Sequence, residues 1–115
     1  MTNRRLVIVD NDEAVLGLLV LDLGLEGHDI VATARDGERG LAACAEHHPD
    51  VAVVDLRLGP GIDGIDVARK LQGSDIRVVL YTNYITAEVV KSAALADASL
   101  IEKGNLSALR RAIAA

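Results

Sequence analysis

Acidic and amide side chains follow two short apolar runs of this sequence. Asp10 and Asn11 come directly after residues 6–9, and Asp55 comes directly after residues 51–54. Carboxylate and amide oxygens are the hard ligands that Mg²⁺ prefers in proteins, and this ion commonly bridges protein carboxylates to a phosphate. A carboxylate can also attack phosphorus as a nucleophile and form an acyl phosphate. These residue types indicate magnesium-dependent phosphoryl transfer, provided that the fold brings the two runs together.

Two further polar side chains follow later apolar runs. Thr82 comes shortly after residues 78–80, and Lys103 comes shortly after residues 99–101. A hydroxyl donor and an ammonium can neutralise the oxygens of a phosphoryl group as charge spreads in the transition state. Clustered carboxylates raise one another's pKa values, which makes such a site costly unless it has a use. We therefore expect the acidic side chains, the Thr82 hydroxyl and the Lys103 ammonium to converge on one crevice.

Five short runs of mostly β-branched and aliphatic residues alternate with five segments of helical length. The runs are residues 6–9, 30–32, 51–54, 78–80 and 99–101, and the helical segments are residues 13–25, 36–47, 63–72, 86–96 and 105–114. Most runs are continuously apolar, which is typical of strands buried on both faces of a parallel sheet. Repeated βα units predict an α/β fold with a doubly wound, five-stranded parallel sheet. Such folds bind ligands beyond the carboxyl ends of the strands, where the candidate residues lie.

Local signals predict where the helices begin and end. Asp63 and Asn105 are predicted N-caps, and Gly27 and Gly73 are predicted stops after the first and third helices. The residues of the first helix that are predicted to face the core are Val15, Leu19 and Leu23.

Composition and charge exclude several classes of protein. The chain has 115 residues, of which 50% are hydrophobic and 25% are charged, as expected of one globular domain and not of a disordered chain. No apolar run approaches the roughly 18 residues that a membrane span needs, so we expect no membrane association and a cytoplasmic protein. The net charge is −5 and the only aromatic residues are Tyr81 and Tyr84. Direct nucleic-acid binding by this chain is therefore not expected, because such binding needs basic stripes and aromatic platforms.

Four motifs carry a resemblance to a known family. They are LVIVDNDEAV at 6–15, PDVAVVDLRL at 49–58, VVLYTN at 78–83 and LIEKG at 100–104. In this order on five βα units, they resemble the receiver domain of response regulators, the phosphoacceptor of two-component signalling. The resemblance covers essentially all of residues 1–115, which we interpret as a single receiver domain. It implies a flavodoxin-like sheet with the strand order 2-1-3-4-5.

The resemblance implies a role for each candidate residue. Asp55 is expected to accept a phosphoryl group from a phosphohistidine, Thr82 to be the switch hydroxyl, and Lys103 to pair with the phosphoryl group. The expected ligands of the cofactor Mg²⁺ are Asp10, Asn11, Asp55 and the backbone carbonyl of Arg57. The chain is not expected to be an enzyme beyond its own phosphorylation and slow dephosphorylation.

Partners are implied by the same resemblance. The phosphodonor is expected to be a sensor histidine kinase or a phosphotransfer protein. Phosphorylation is expected to change a face made of the fourth helix, the fifth strand and the fifth helix, through which a homodimer can form. A C-terminal DNA-binding output domain of a longer parent protein would lie outside residues 1–115.

The sequence departs from the family pattern at several positions, including the loop after Asp55, where Pro60 lies one position later than usual. Asn11 stands where the family has a second acidic Mg²⁺ ligand, so its amide oxygen can coordinate but brings no charge. Gly104 replaces the proline that usually follows the lysine. Leu100 stands at the position of the usual switch aromatic, so the coupling of the hydroxyl to an aromatic side chain is not expected here.

Arg57 and Tyr84 predict a slowly decaying phosphoryl group. They lie two positions after Asp55 and Thr82 respectively, where receiver side chains overlie the approach of the hydrolytic water. Neither is a short amide or carboxylate that would orient this water as a general base.

Other functions fit part of the pattern. The D-x-D of Asp10 and Asp12 resembles the nucleophile motif of haloacid-dehalogenase phosphatases, with Asp12 as acid/base. Against this, Glu13-Ala14 replaces the usual Gly-Thr, and no acidic pair follows the fourth strand. Asn11 favours a third function, a receiver-like interaction domain that no longer turns phosphate over. Asp12 fits a helix N-cap as well as a metal ligand.

Cys44 and His47 lie three positions apart on one predicted helix. Two ligands without a third are a weak metal signal. The single cysteine also fits a reducing compartment.

Overall fold

The computed structural model describes residues 3–115 and contains a five-stranded parallel sheet with helices on both faces. The strands are β1 (Arg5–Val9), β2 (Asp29–Ala34), β3 (Val51–Val54), β4 (Arg77–Thr82) and β5 (Ser99–Glu102), and the helices are α1 (Glu13–Leu25), α2 (Gly37–His47), α3 (Gly64–Leu71), α4 (Ala87–Leu95) and α5 (Leu106–Ala114). The strands lie in the order β2-β1-β3-β4-β5, and each neighbouring pair is parallel. The predicted fold and strand order are confirmed.

The core consists of two layers, one on each face of the sheet. Along β1, Val7 and Val9 belong to the layer covered by α2, α3 and α4, whereas Leu6 and Ile8 belong to the layer covered by α1 and α5. All four residues are at most 1% exposed. The strand reads as continuously apolar because both of its faces are buried.

Polar residues cap the helices at their N-termini. The caps of α2 to α5 are Asp36, Asp63, Thr86 and Asn105. Each accepts a hydrogen bond from a backbone N–H in the first turn. The predicted N-caps Asp63 and Asn105 are confirmed. Each of the four helices begins one residue after the start of its predicted segment, because a capping residue keeps a non-helical backbone. The predicted stops Gly27 and Gly73 have φ of +92° and +84°, the left-handed conformation that commonly follows a helix.

Helix α1 is apolar on both its inner and its outer face. It buries Leu16, Leu19 and Leu23, while Val15 is only partly buried at the edge of the same layer. The outer face exposes Leu18, Leu21 and Leu25. Periodicity could not separate the two faces because leucine occurs on both. No helix within residues 3–115 is long and apolar enough to cross a membrane.

Gly64, the first residue of α3, touches the backbone that carries Asp55. A Cβ atom at residue 64 would lie 2.3 Å from the carbonyl oxygen of Asp55 and 2.9 Å from the Cα of Leu56. The N–H of Gly64 also donates to the carbonyl oxygen of Leu56 at 2.8 Å. Glycine therefore allows α3 to begin directly against the turn that follows β3.

Gly64→Ala is expected to lower the free energy of unfolding by about 1–3 kcal/mol, because the added methyl enters filled space. It should also shift the amide NMR signals of residues 55 and 56. The matched control is Gly17→Ala in α1, where a Cβ atom meets nothing within 4 Å. Alanine in that helix interior is expected to raise the free energy of unfolding by about 0.5–1 kcal/mol. Urea unfolding measures both variants, and equal effects would contradict the close approach at Gly64.

Candidate functional site

Asp10 lies directly after β1 and is almost fully buried. The residue is only 1% exposed. Its backbone N–H donates to the carbonyl oxygen of Ala34 at 3.0 Å. Its carboxylate Oδ1 accepts a hydrogen bond from the backbone N–H of Asp12 at 2.9 Å. Oδ2 is left to face the other members of the site.

Asp55 lies directly after β3, the neighbour of β1 in the sheet. Its backbone N–H donates to the carbonyl oxygen of Val9 at 2.9 Å, which continues the ladder between the two strands. Its carboxylate Oδ1 accepts a hydrogen bond from the backbone N–H of Leu56 at 2.7 Å. Asp55 is 6% exposed, so the site holds two buried carboxylates on adjacent strand ends.

Lys103 lies directly after β5 and bridges both carboxylates. Its Nζ atom is 3.0 Å from Oδ2 of Asp10 and 3.0 Å from Oδ2 of Asp55. Its side chain is 15% exposed, so the ammonium is shielded from most of the solvent. The sequence predicted these three residues to meet at one edge of the sheet, and the structure brings them together.

Thr82, the last residue of β4, lies between the strands that carry Asp55 and Lys103. It is fully buried. Its Oγ1 atom accepts a hydrogen bond from the backbone N–H of Tyr84 at 3.1 Å. Its carbonyl oxygen accepts one from the backbone N–H of Lys103 at 3.0 Å. The hydroxyl hydrogen remains free to be donated, because Oγ1 acts as acceptor toward Tyr84.

Burial and charge shift the pKa values of two members of the site. Burial raises the pKa of Asp10 above its ordinary 3.8, while hydrogen bonds from the Asp12 N–H and from Lys103 offset part of the rise. Burial alone would lower the pKa of Lys103, but its hydrogen bonds to Asp55 and Asp10 outweigh that effect and raise it above 10.5. The ammonium is therefore charged at neutral pH.

Arg35 joins the site from the loop after β2, a contact that sequence reasoning missed. Its guanidinium donates to the backbone carbonyl of Asn11 at 2.9 Å and pairs with Oε1 of Glu13 at 3.1 Å. The side chains of Asn11, Arg35 and Glu13 are all exposed. The available signal was position alone, since Arg35 directly follows a strand and so lies at the same edge of the sheet.

Asp12 is the N-cap of α1. Its Oδ1 atom accepts hydrogen bonds from the backbone N–H groups of Ala14 and Val15 at 2.9 and 3.4 Å.

Cys44 is buried in a core layer, and burial raises the pKa of its thiol to about 11. Among residues 3–115 no group of three or more His, Cys, Asp or Glu side chains could hold a metal. A metal pair of Cys44 with His47 therefore finds no third ligand.

Arg57 and Tyr84 contact each other beside the site. The guanidinium carbon of Arg57 lies 4.0 Å from the centroid of the Tyr84 ring. This distance is typical of a cation–π interaction. Both residues are exposed, so the stacked pair forms part of the surface next to Asp55 and Thr82.

Asp10→Asn is expected to stabilise the metal-free protein at pH 7. Because the pKa of Asp10 is raised on folding, stability falls as the pH rises from about 3.8 through the folded pKa. Asparagine cannot ionise, and its amide oxygen can still accept from the Asp12 N–H. The advantage of the variant should therefore shrink as the pH is lowered below the folded pKa.

Thermal unfolding across this pH range, in buffer containing a chelator, measures the effect. Asp75→Asn is the control, because Asp75 is an exposed carboxylate in the loop between α3 and β4. An Asp10→Asn advantage that does not change with pH would contradict the assignment of the cost to the ionised carboxylate.

Comparison with known proteins identifies the family. A family model described as the response regulator receiver domain matches residues 6–113. The transcriptional regulatory protein AfsQ1 of Streptomyces coelicolor is 41% identical over 78 residues, which cover 67% of this chain and 34% of that protein. The DNA-binding response regulator MtrA of Mycolicibacterium smegmatis is 39% identical over 80 residues, which cover 69% of this chain and 34% of that protein. The chain thus spans about a third of the length of these relatives.

Solved structures agree with the sequence match. The signal receiver domain of NarL from Mycobacterium tuberculosis superposes with a TM-score of 0.88 at 27% identity, covering 98% of both chains. The response regulator TrrA from Thermotoga maritima, solved in complex with Mg²⁺ and BeF, superposes with a TM-score of 0.82 at 26% identity, covering 96% of both chains. Sequence and fold therefore agree over nearly all of the described residues, and the chain belongs to the response regulator receiver domain family of two-component systems.

Proposed function

We propose that Asp55 accepts a phosphoryl group from the phosphohistidine of a sensor histidine kinase or a phosphotransfer protein. The observation that carries this proposal is the Lys103 ammonium, which lies 3.0 Å from a carboxylate oxygen of both Asp10 and Asp55. Two buried carboxylates that share one cation are costly as a purely structural feature. The same arrangement suits a site that receives an anionic phosphoryl group.

Each side chain has a distinct part in the transfer. A carboxylate oxygen of Asp55 forms a bond to phosphorus while the phosphorus–nitrogen bond of the donor histidine breaks and the imidazole leaves. The ammonium of Lys103 pairs with the arriving phosphoryl oxygens. The hydroxyl of Thr82 donates to one of them, because its hydrogen is free while Oγ1 accepts from Tyr84. Neutralisation of these oxygens is the main requirement of phosphoryl transfer.

The donor set fits Mg²⁺ at this site. Asp10, Asn11, Asp55 and the backbone carbonyl of Arg57 supply only oxygen atoms, the ligands that a hard dication prefers. Burial raises the pKa of Asp10, so its ionised carboxylate lacks the solvation that a bound cation would replace. Mg²⁺, when bound, would supply charge neutralisation for the phosphoryl group and the two carboxylates. Asn11 contributes no charge, so the affinity for Mg²⁺ is expected to be lower than with an acidic residue at this position.

Asp12 does not favour the phosphatase alternative. An acid/base carboxylate must be free to exchange protons with substrate, whereas Oδ1 of Asp12 accepts two backbone hydrogen bonds at the start of α1. The D-x-D enzyme and the phosphorylation-independent interaction domain each predict a different labelling result with acetyl phosphate.

The output is proposed to involve α4, β5 and α5. Thr82 leads into the loop before α4, and its carbonyl oxygen accepts a hydrogen bond from the backbone N–H of Lys103, which follows β5. The segments that lead into α4 and α5 therefore both start at the site. Leu100 in β5 is partly buried against the core layer of α2, α3 and α4, which leaves the loop and α4 to carry the change. The named relatives are a transcriptional regulatory protein and a DNA-binding response regulator. A DNA-binding output domain in a longer parent protein is therefore proposed, with a homodimer formed through the same face.

Intact-mass measurement after incubation with acetyl phosphate and Mg²⁺ tests the site. The chain is expected to gain the mass of one phosphoryl group, and peptide mapping after borohydride reduction is expected to place it on Asp55. Asp55→Asn should abolish the adduct and keep the fold, since an amide oxygen can still accept from the Leu56 N–H. Addition of a chelator should also abolish the adduct.

Asp75→Asn is the matched control and should be labelled like the parent, because it makes the same chemical change far from the site. An adduct on Asp10 would favour the D-x-D phosphatase. No adduct on the parent chain would favour an interaction domain that does not turn phosphate over.

The phosphoryl group on Asp55 is expected to last minutes to hours, an order-of-magnitude figure for a site where access of water sets the rate. The contact between Arg57 and Tyr84 supports this prediction, because it restrains two side chains from the segments that directly follow Asp55 and Thr82. The double variant Arg57→Asn, Tyr84→Glu is expected to release phosphate faster, as it replaces the pair with short polar groups that can orient water. Phosphate release from the parent, both single variants and the double variant is the measurement. A double variant that decays no faster than the parent would rule out shielding by this pair.

A further inference from the structure

Tyr81 connects the core to the loop that carries Lys103. It is the penultimate residue of β4, it is 4% exposed, and its ring belongs to the core layer covered by α1 and α5. Its hydroxyl oxygen accepts a hydrogen bond from the backbone N–H of Gly104 at 2.9 Å. None of the roles assigned above uses this hydroxyl.

The loop after β5 is bound to β4 at two consecutive residues. The N–H of Lys103 donates to the carbonyl oxygen of Thr82 at 3.0 Å, and the N–H of Gly104 donates to Tyr81. Gly104 has a φ of +96°, and no atom lies within 4 Å of where its Cβ would be. Glycine has the greatest backbone freedom of any residue type. The backbone at Gly104 therefore depends on hydrogen bonds from its surroundings for a fixed position.

Lys103 depends on the position of this backbone. Its Nζ atom must stay within hydrogen-bond distance of two carboxylates that come from two different strands. Its side chain is a flexible four-carbon stem, so its own rotamers do not fix the ammonium. A shift of about 1 Å in a group far from the chemistry can slow a reaction by as much as 10²-fold.

We propose that the Tyr81 hydroxyl is a positioning group for Lys103, acting through the backbone of Gly104. The ring of Tyr81 is held by the core, and its hydroxyl transfers that rigidity to the loop. The inference rests on the proposed function of Asp55 and Lys103 as far as reaction rate is concerned. The contact between Tyr81 and the loop can be tested separately from that function.

Tyr81→Phe removes the hydroxyl and keeps the ring in the core. The freed N–H belongs to Gly104, which is exposed, so water can bind it. The variant is expected to fold with nearly the thermal stability of the parent. The matched control is Ser74→Ala, which removes a hydroxyl bonded to the Leu71 carbonyl in the loop between α3 and β4, at the opposite edge of the sheet.

The first measurement is NMR of the lysine side chains in buffer with a chelator. Tyr81→Phe is expected to move the Cε and Hε signals of Lys103 toward those of Lys70 and Lys91, which are exposed. It is also expected to speed hydrogen exchange of the Gly104 amide. Ser74→Ala should leave these signals unchanged. Lys103 signals that do not move in Tyr81→Phe overturn the proposal, even where phosphorylation is slower, because the hydroxyl would then have only a structural role.

The second measurement is the rate of phosphorylation by acetyl phosphate at saturating Mg²⁺. Tyr81→Phe is expected to lower this rate about tenfold, and the Mg²⁺ concentration that gives half the maximal rate should not change, since neither Tyr81 nor Lys103 is a proposed ligand. A rate equal to that of the parent overturns the positioning role. If the parent chain is not phosphorylated and the Lys103 signals still move in the variant, the proposed function fails and the positioning contact stands.

Discussion

One ammonium shared between two buried carboxylates constrains the whole arrangement of this fold. Asp10 and Asp55 come from β1 and β3, which are neighbours, so the sheet alone places them side by side. Two neighbouring carboxylates that are both buried repel each other and lose hydration. Lys103 offsets half of their charge at 3.0 Å from each. It comes from β5, and the chain must therefore build two further βα units before the site is complete.

The position of β4 explains how Lys103 crosses to the carboxylates. In the observed strand order β4 lies between β3 and β5, so the Lys103 side chain must reach past the end of β4 to contact Asp55. Thr82 receives the Lys103 N–H on its carbonyl oxygen, and Tyr81 receives the next N–H on its hydroxyl. Thr82 also directs its side chain to the turn before α4 through Tyr84. The same strand end therefore positions the cation and connects the site to the following helix.

The sequence was sufficient for the features that depend on local pattern. Continuous apolar runs predict a buried parallel sheet, and polar residues at the strand ends predict that Asp10, Asp55 and Lys103 converge. Two of the missed features depend on contacts between segments distant in sequence. Arg35, which follows β2, donates to the Asn11 carbonyl, which follows the neighbouring strand β1. Glycine is needed at position 64 because the backbone of Asp55 fills the space of a Cβ atom. Such contacts depend on side-chain reach and on how closely two elements approach, which residue type and spacing do not encode.

The charge of the crevice determines both its cost to the fold and its attraction for a metal. With Asn11 in place of an acid, the buried charges are two carboxylates and one ammonium, and Arg35 adds a cation at the Asn11 carbonyl near the rim. Less negative charge lowers the repulsion that folding must overcome. It equally lowers the Coulomb attraction for a hard dication. A carboxylate in place of Asn11 is therefore expected to change stability and metal affinity in opposite directions.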